Sequence, residues 1–252
     1  MTRSSRPQIR VVARLDIKGK NLIKGVQLEG LRVLGDPNEF ARRYYIDGID
    51  EILYIDTVAS LYGRSYMTEI LKNTVSDVFV PITAGGGVKS VDDVRVLLRS
   101  GADKVAINSE AVRNPRLISE IADAFGEQCT VVSVQAKKTA SNSWEVLIEG
   151  GRERTGLDVF EWASEVTRLG AGEILLTSVD KDGTKKGFDN ELIAQVRSVV
   201  QVPVIASGGF GSTSDLGPLL SSAPEIDAIS VGSVLHYELV SVADIKSSLP
   251  ER

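Results

Sequence analysis

The sequence predicts a (β/α)8 barrel, and three observations lead to this fold class. Eight short runs rich in β-branched residues alternate with amphipathic helical stretches. The chain has 252 residues, a usual length for eight such units. The segments that begin at residues 50 and 83 resemble those that begin at 172 and 206, so the chain repeats itself at an offset of roughly 120 residues. A doubly wound sheet is the alternative, but it usually shows one dominant glycine loop, which this chain lacks.

The predicted elements follow one another at regular spacing. The eight predicted strands are 9–16, 51–56, 78–83, 103–108, 129–135, 173–178, 202–207 and 226–232. Four stretches have a clear helical period: 36–47, 91–101, 115–126 and 158–170. The last three of these end in glycine, a common stop at a helix C-terminus. A β-hairpin is predicted over 137–152, after the fifth strand, and the absence of linkers predicts a single domain over 1–252.

The composition excludes several classes of function. The chain is 42% hydrophobic and 25% charged, with a net charge of −5, so it is an ordinary globular protein without the basic surface of a nucleic-acid-binding protein. No apolar run is long enough to cross a membrane. The single cysteine, Cys129, excludes an internal disulfide and fits a cytoplasmic chain.

Two glycine-rich clusters predict phosphate sites at the carboxyl ends of the strands, where the active sites of such barrels lie. The first is "GGG" at 85–87 with "NS" at 108–109, and the second is "SGG" at 207–209 with "GS" at 232–233. Glycines let backbone N–H groups approach an anion closely. Two clusters on opposite sides of the mouth therefore predict a substrate phosphorylated at both ends. The alternative is that these glycines only form tight turns.

Between the two clusters, the first and fifth predicted strands end in Asp16 and Gln135. The internal repeat makes these residues mates across a pseudo-twofold axis. A carboxylate at a strand end can act as a general acid or base, which is the role that we favour for Asp16. The alternative is that it orients a loop or caps a helix. Thr177, at the end of the sixth strand, adds a further polar group to this end of the barrel.

The opposite end of the barrel should carry a ring of charges. Arg10, Glu51, Lys104 and Glu173 stand at the starts of four predicted strands. Side chains on a strand point alternately to its two faces, and Arg10 is an even number of residues before Asp16 on the same strand. Both side chains should therefore point into the barrel. Buried charges are costly unless they are paired, and two cations with two anions make a paired ring. Each residue taken alone also fits a solvated position at a strand edge.

These residues resemble one family, the cyclase subunit of imidazole glycerol phosphate synthase of histidine biosynthesis. The resemblance covers nearly the whole chain. Its most specific matches are "LDIK" at 15–18 with Lys24 beyond it, "GDP" at 35–37, "GGG" at 85–87, "GADKVAIN" at 101–108, "GAGEILLTSVDKDGTKKGFD" at 170–189 and "IASGG" at 205–209. It implies an enzyme that aminates and cyclises a phosphorylated ribulosyl substrate with ammonia, without a metal or an organic cofactor.

The resemblance also implies a partner and a set of site residues. A separate glutaminase would dock at the N-terminal face of the barrel to form a heterodimer, and the ring of four charges would be the gate through which its ammonia enters. Lys24 would lie in a mobile loop that closes over the substrate. The implied phosphate contacts are Gly87, Asn108, Ser109, Asp182, Gly183, Ser207, Gly209, Gly232 and Ser233.

Two positions depart from the family pattern at the substrate end. The family uses an aspartate pair as acid and base, whereas this chain has Asp16 and Gln135. An amide cannot shuttle a proton at neutral pH, and losing a general acid or base typically costs about 10²–10⁴-fold in rate. Arg14 should point into the barrel where the family has a small residue. Its guanidinium needs an anionic partner, either Asp16 or an acidic group of a different substrate.

Three hypotheses follow from this pattern. The chain is a working histidine-pathway cyclase, or a paralogue that forms an amidine (acetamidino) group on a nucleotide-linked sugar for surface polysaccharides, or an inactive barrel that only activates a glutaminase. Absorbance decay of the ribulosyl intermediate with ammonium salts separates the first hypothesis from the second. An inactive barrel would turn over no acceptor at all.

Overall fold

The computed structural model describes residues 8–59, 66–140 and 142–250, and it confirms the predicted barrel. The strands of the described residues are β1 Arg10–Lys18, β2 Asn21–Val26, β3 Glu29–Gly35, β4 Glu51–Asp56, β5 Ile82–Gly85, β6 Lys104–Ile107, β7 Thr130–Ala140, β8 Ser143–Ile148, β9 Glu153–Asp158, β10 Glu173–Ser178, β11 Val204–Ser207 and β12 Ala228–Val231. Eight of them, in the order β1-β4-β5-β6-β7-β10-β11-β12, form a parallel sheet. Pairing of β12 with β1 closes this sheet into a barrel.

Helices pack around the outside of the barrel. Those of the described residues are α1 Pro37–Ile46, α2 Met67–Thr74, α3 Val91–Arg99, α4 Ser109–Arg113, α5 Arg116–Phe125, α6 Val159–Arg168, α7 Asn190–Val199, α8 Leu216–Ser222, α9 Ser233–His236 and α10 Val242–Ser247. Side chains cap several of their N-termini; for example, Asp158 accepts hydrogen bonds from two backbone N–H groups of α6. The four helices expected from the apolar period are all present.

Two expectations about the strands need correction. Residues 78–81 do not join the third barrel strand, which begins at Ile82, because Pro81 has no backbone N–H to donate. The insertion after β7 is longer than the predicted hairpin, since β8 pairs antiparallel with β7 and also with β9. The result is a three-stranded meander that extends past residue 152; residue 141, within its first turn, lies outside the described residues.

A hairpin also stands where the family resemblance implied a mobile loop after the first strand. Strands β2 and β3 pair antiparallel, and β2 pairs with the end of β1. Its turn places Gln27 and Leu28 at φ values of 52° and 64°, the left-handed region that hairpin turns require. The hairpin therefore extends the sheet over one side of the barrel mouth.

The barrel interior has a small apolar core that is separate from the larger core between strands and helices. We call it the interior layer, and its members are Val12, Leu53, Ala106, Val131, Leu175, Ile205 and Ala228. Four members of the layer follow the internal repeat, because Val12 corresponds to Val131 and Leu53 to Leu175. Strands β6 and β12 are four places apart in the ring of eight, so the two alanines lie on opposite walls.

Candidate active site

Two clefts open at the carboxyl ends of the strands, one at each predicted glycine cluster. The first has a volume of about 940 Å³, including space open to solvent, and contains Gly87, Asn108 and Ser109 in its lining. The second, of about 310 Å³, is lined by Gly209, Ser233 and other small residues. A Cβ atom on Gly209 would lie 2.1 Å from the carbonyl oxygen of Gly187, so only glycine fits this approach. Both clusters thus border open clefts rather than only forming turns.

A wall of four buried charged side chains separates the two clefts: Arg14, Asp16, Lys24 and Asp182. Arg14 Nε donates to Asp16 Oδ1 at 2.8 Å, and Lys24 Nζ donates to Asp16 Oδ2 at 3.1 Å. Lys24 Nζ also lies 3.2 Å from Asp182 Oδ2. The wall holds two cations and two carboxylates, so its formal charge balances, as a buried cluster requires.

Arg14 extends far across the barrel interior. Its Nη1 donates to the hydroxyl of Thr177 on β10 and to the hydroxyl of Ser207 on β11, both at 3.2 Å. The side chain therefore runs from β1 past β12 to β11 and β10. Of the two partners expected for Arg14, the structure shows Asp16.

The wall fixes the charge state of Asp16. Burial raises the pKa of its carboxyl, but the attraction of Arg14 and then of Lys24 outweighs burial and holds that pKa well below its usual range. The same ion pairs outweigh burial at Lys24 and raise the pKa of its ammonium group. Asp16 is thus an ionised carboxylate with a cation on each of its oxygens.

Gln135 lies in the first cleft on β7, opposite the wall. Its side chain is buried, and its Oε1 accepts no hydrogen bond from any of the described residues. Such an unsatisfied buried acceptor normally costs about 1–3 kcal/mol, which a bound donor would recover. In this cleft Gln135 can donate and accept hydrogen bonds, but it cannot carry a proton.

The structure changes the expected setting of three residues. Lys24 is not in a loop but in strand β2, with a side chain only 5% exposed. The Asn108 amide donates to the carbonyls of Ser133 and Leu147, and the Ser109 hydroxyl accepts from a meander N–H. Asn108 and Ser109 thus hold the meander in place at the rim of the first cleft.

The loop after β10 packs against the β2–β3 hairpin. The backbone N–H of Gln27 donates to the carbonyl of Asp182 at 2.8 Å. A Cβ atom on Gly183, at φ 69°, would lie 2.4 Å from the carbonyl oxygen of Gly25. Gly183 therefore permits close approach of the loop, and the hairpin covers the wall on the solvent side.

The four charges at the opposite end of the barrel form a closed ring of ion pairs. Arg10 pairs with Glu51 at 2.6 Å and also with Glu173. Lys104 pairs with the same two carboxylates, at 3.0 and 2.7 Å. Thr83 donates a further hydrogen bond to Glu51 at 2.7 Å. The ring lies directly below the interior layer, at the floor of the barrel.

Sequence reasoning missed the charged residues that the meander and α4 bring to the first cleft. Arg113 pairs with the buried Glu149 at 2.7 Å, and Arg152 lies beside them in the cleft lining. The "GG" before Arg152 signalled a turn, but it did not show where the turn would lie.

The single histidine, His236, is buried against Tyr44, whose hydroxyl lies 2.6 Å from His236 Nδ1. Burial, then the charge of Lys24, lowers the pKa of His236 to about 4.

Comparison with known proteins places the chain in a family. The model of the histidine biosynthesis protein family matches residues 10–241. The chain belongs to this family. It is 61% identical over 207 residues to the imidazole glycerol phosphate synthase subunit HisF of Legionella pneumophila, which covers 82% of this chain and 98% of that protein. It is also 46% identical over 246 residues to the HisF subunit of Mycobacteroides abscessus, with 95% of each chain covered.

Two further searches concern only the described part of the chain. In residues 8–59, 66–140 and 142–250, no group of three or more histidine, cysteine, aspartate or glutamate side chains is placed to hold a metal ion. No described helix is long and apolar enough to cross a membrane.

Proposed function

We propose that this chain is the HisF-type cyclase subunit of imidazole glycerol phosphate synthase, a lyase of histidine biosynthesis that uses ammonia. The observation that carries the proposal is that one barrel interior joins a ring of ion pairs at its floor to two clefts at its mouth. The family relationship supports the same reaction, since the relatives at 46–61% identity are HisF subunits.

In this proposal the two ends of the substrate are held by the two clefts. Backbone N–H groups at the glycines bind its phosphates, and their positions next to helix N-termini add a favourable dipole. The substrate crosses the wall, where Lys24 and the ionised Asp16 face its reacting atoms. The residues that we assign to substrate binding are Lys24, Gly87, Asn108, Ser109, Thr177, Asp182, Gly183, Ser207, Gly209, Gly232 and Ser233.

We assign the ring of ion pairs to ammonia entry and the floor of the barrel to a glutaminase partner. Neutral ammonia is small and carries no charge, so crossing the apolar interior layer costs it far less desolvation energy than it would cost ammonium, once the ring opens. Exposed apolar side chains near the ring support a docking surface: Ile46 and Phe79, at the floor end of the barrel, are 72% and 73% exposed. A single cysteine and the pathway together favour a cytoplasmic location.

The test is turnover of the ribulosyl intermediate by the purified chain. With ammonium salts and no partner, we expect the absorbance of the intermediate to decay and both products to form. With a glutaminase, glutamine should replace the ammonium salt. No decay under either condition would refute the proposal.

A second candidate is amination of a different acceptor, and a specific observation favours it. Gln135 carries no proton, and Asp16 is held ionised by Arg14 and Lys24, so neither strand end supplies a free acid. An acceptor that needs ammonia but no ring closure, such as a nucleotide-linked sugar that gains an amidine, fits this site. Incubation with a nucleotide sugar and ammonium, followed by mass spectrometry, tests it. An inactive barrel would give no product with either acceptor.

A further inference from the structure

The guanidinium of Arg14 keeps one nitrogen that the described residues do not use. Its N–H groups form a rigid planar fork of donors. Nε donates to Asp16, and Nη1 donates to the hydroxyls of Thr177 and Ser207. Both N–H groups of Nη2 are left without a partner among the described residues. The bonds of Nε and Nη1 thus fix the plane of the guanidinium, while Nη2 is free to bind a ligand.

The unused nitrogen is open to the clefts. Arg14 is only 5% exposed, yet it lines both the first and the second cleft. Unlike Gln135 Oε1 and the hydroxyl of Ser230, Arg14 Nη2 is not fully enclosed by protein. An acceptor that crosses the wall from one cleft to the other therefore meets this nitrogen.

The other donors near the wall are already in use or carry no charge. Lys24 Nζ donates to one oxygen of Asp16 and to both oxygens of Asp182, which uses its three N–H groups. The amide of Asn108 donates to one carbonyl of β7 and to one of β8. The amide of Gln135 is neutral, and a neutral donor forms a hydrogen bond roughly half as strong as a charged one. Within the wall, only Arg14 presents a charged donor without a partner among the described residues.

Arg14 stays charged at its buried position. Burial lowers the pKa of a guanidinium, but the attraction of Asp16 and then of Asp182 outweighs burial and raises the pKa of Arg14 above its usual value. Arg14 therefore gives up no proton at the pH at which the enzyme works. It can act on an acceptor only through its hydrogen bonds and its charge.

Amination of a carbonyl group builds negative charge on the carbonyl oxygen. The lone pair of ammonia forms the new C–N bond, and the π pair of the C=O bond moves to the oxygen. Nitrogen then carries a positive charge and oxygen a negative one, so no proton or electron is exchanged with the protein in this step. The adduct is neutral overall, which suits a wall whose own charges already balance. A ribulosyl group carries a ketone and an acetamido sugar carries an amide carbonyl, so both acceptors of the proposed function undergo this step.

We propose that Arg14 is a catalytic residue whose Nη2 donates to the carbonyl oxygen of the acceptor and stabilises the negative charge that develops there as ammonia attacks. This inference rests on the proposed amination of a carbonyl group. Since Gln135 carries no proton and Asp16 is ionised, hydrogen bonding takes the place of protonation at this oxygen. The bonds to Thr177 and Ser207 hold the donor in position before the acceptor arrives, as electrostatic stabilisation of a transition state requires.

The test makes the same substitution at two arginines of the first cleft. Arg14→Lys keeps a cation beside Asp16 but removes Nη2, and loss of one donor to a developing oxyanion typically costs about 10²–10³-fold in kcat. With ammonium and the ribulosyl intermediate, we expect that loss in kcat and a change in KM of less than about threefold. Arg113→Lys, at the rim of the same cleft, is the matched control and should leave kcat within about twofold of the wild type. Equal losses in kcat, or a loss confined to KM, would overturn the proposal.

An infrared measurement gives a readout that a purely structural role would not change. The intermediate, labelled with carbon-13 at its ketone, is bound without ammonia, so no turnover occurs. A charged donor weakens the C=O bond, so we expect the ketone stretch at a lower frequency in the wild-type complex than in Arg14→Lys. Equal frequencies would refute the hydrogen bond from Arg14. If Arg14→Lys fails to fold, Arg14→Gln, which leaves Asp16 paired with Lys24, replaces it in both measurements with the same expectation.

The two measurements also separate this inference from the proposed function. A wild type that turns over no ribulosyl intermediate refutes the proposed function. The infrared comparison is then made with a nucleotide sugar labelled at its acetamido carbonyl, and equal frequencies there overturn the role of Arg14. An active wild type whose Arg14→Lys variant keeps its kcat supports the function and refutes the role of Arg14.

Discussion

Strands β1 and β7 are mates in the internal repeat, yet they build the two sides of the mouth differently. Both carry valine in the interior layer, at Val12 and Val131. Above that layer β1 has Arg14 and Asp16, whereas β7 has Ser133 and Gln135. The two halves therefore share the packing that closes the barrel and differ where the substrate binds.

The difference teaches that, of these two residue pairs, only that of β1 carries charged side chains. On the β1 side, Asp16 joins two cations in a fully paired cluster. On the β7 side, Gln135 Oε1 has no partner among the described residues. One side is organised before any substrate arrives, and the other can be completed by a donor that the substrate brings.

The largest expected effect comes from making the two strand ends alike. Gln135→Asp adds a proton carrier at the β7 end, and a general acid or base typically contributes about 10²–10⁴-fold in rate. We expect turnover of the ribulosyl intermediate with ammonium to rise at least about 10²-fold. Gln135→Asn is the matched control, because asparagine has the length of the introduced aspartate but no ionisable group. An equal rise in both variants would show that size, not proton transfer, limits the reaction.

The second prediction removes the anion from the paired side. Asp16→Asn leaves Arg14 and Lys24 buried beside a neutral amide, and breaking a buried ion pair typically costs about 3–5 kcal/mol. We expect the free energy of unfolding, measured in urea at pH 7, to fall by that amount. Gln135→Asn, on the unpaired side, should lower it by less than about 1 kcal/mol, since it breaks no ion pair. Similar losses in the two variants would contradict the asymmetry.

The third prediction concerns His236, which is close enough to the β1 side for the charge of Lys24 to lower its pKa. The folded chain holds this pKa at about 4, whereas an unfolded histidine titrates near 6.5. Between these two pKa values the unfolded state binds the proton more readily than the folded state. The free energy of unfolding should therefore decrease as the pH is lowered from 7 to 4. The shift corresponds to a loss of about 3 kcal/mol from pH 7 to pH 4.

Because His236 is the single histidine of the chain, one variant isolates this effect. Denaturant titrations of wild type and His236→Phe, each at pH 7 and pH 4, give the two losses. The loss on acidification should be smaller in the variant by about 3 kcal/mol. An unchanged loss would mean that His236 titrates normally in the folded chain.

The smallest expected effect tests how Arg14 is held. Thr177→Val removes a hydroxyl that accepts from Arg14 at 3.2 Å, a hydrogen bond worth about 1 kcal/mol. Ser230→Ala removes a buried hydroxyl that has no partner among the described residues, so it should cost less than about 0.5 kcal/mol. Urea denaturation of both variants measures the difference. A larger loss for Ser230→Ala would indicate that Arg14 is not held by Thr177.

The β2–β3 hairpin shows why part of the fold could not be predicted. In a sequence, hairpin turns are usually marked by glycine or asparagine, the residues that tolerate positive φ. Here the turn is formed by Gln27 and Leu28, whose conformation is stabilised by the pairing of the strands around it. No local signal marked the hairpin, and it was the family resemblance that placed Lys24 in a loop.

The sequence by itself determined the barrel, the ring of charges and the inequality of Asp16 and Gln135. These follow from the period of apolar residues, the parity of each strand and the internal repeat, all of which are local or periodic properties. Only the tertiary structure decided that Arg14 reaches β10 and β11, that Lys24 joins Asp16 to Asp182, and that the meander lines the first cleft. The physical reason is that long charged side chains take the rotamers that satisfy partners from distant strands, and only the closed barrel brings those partners together.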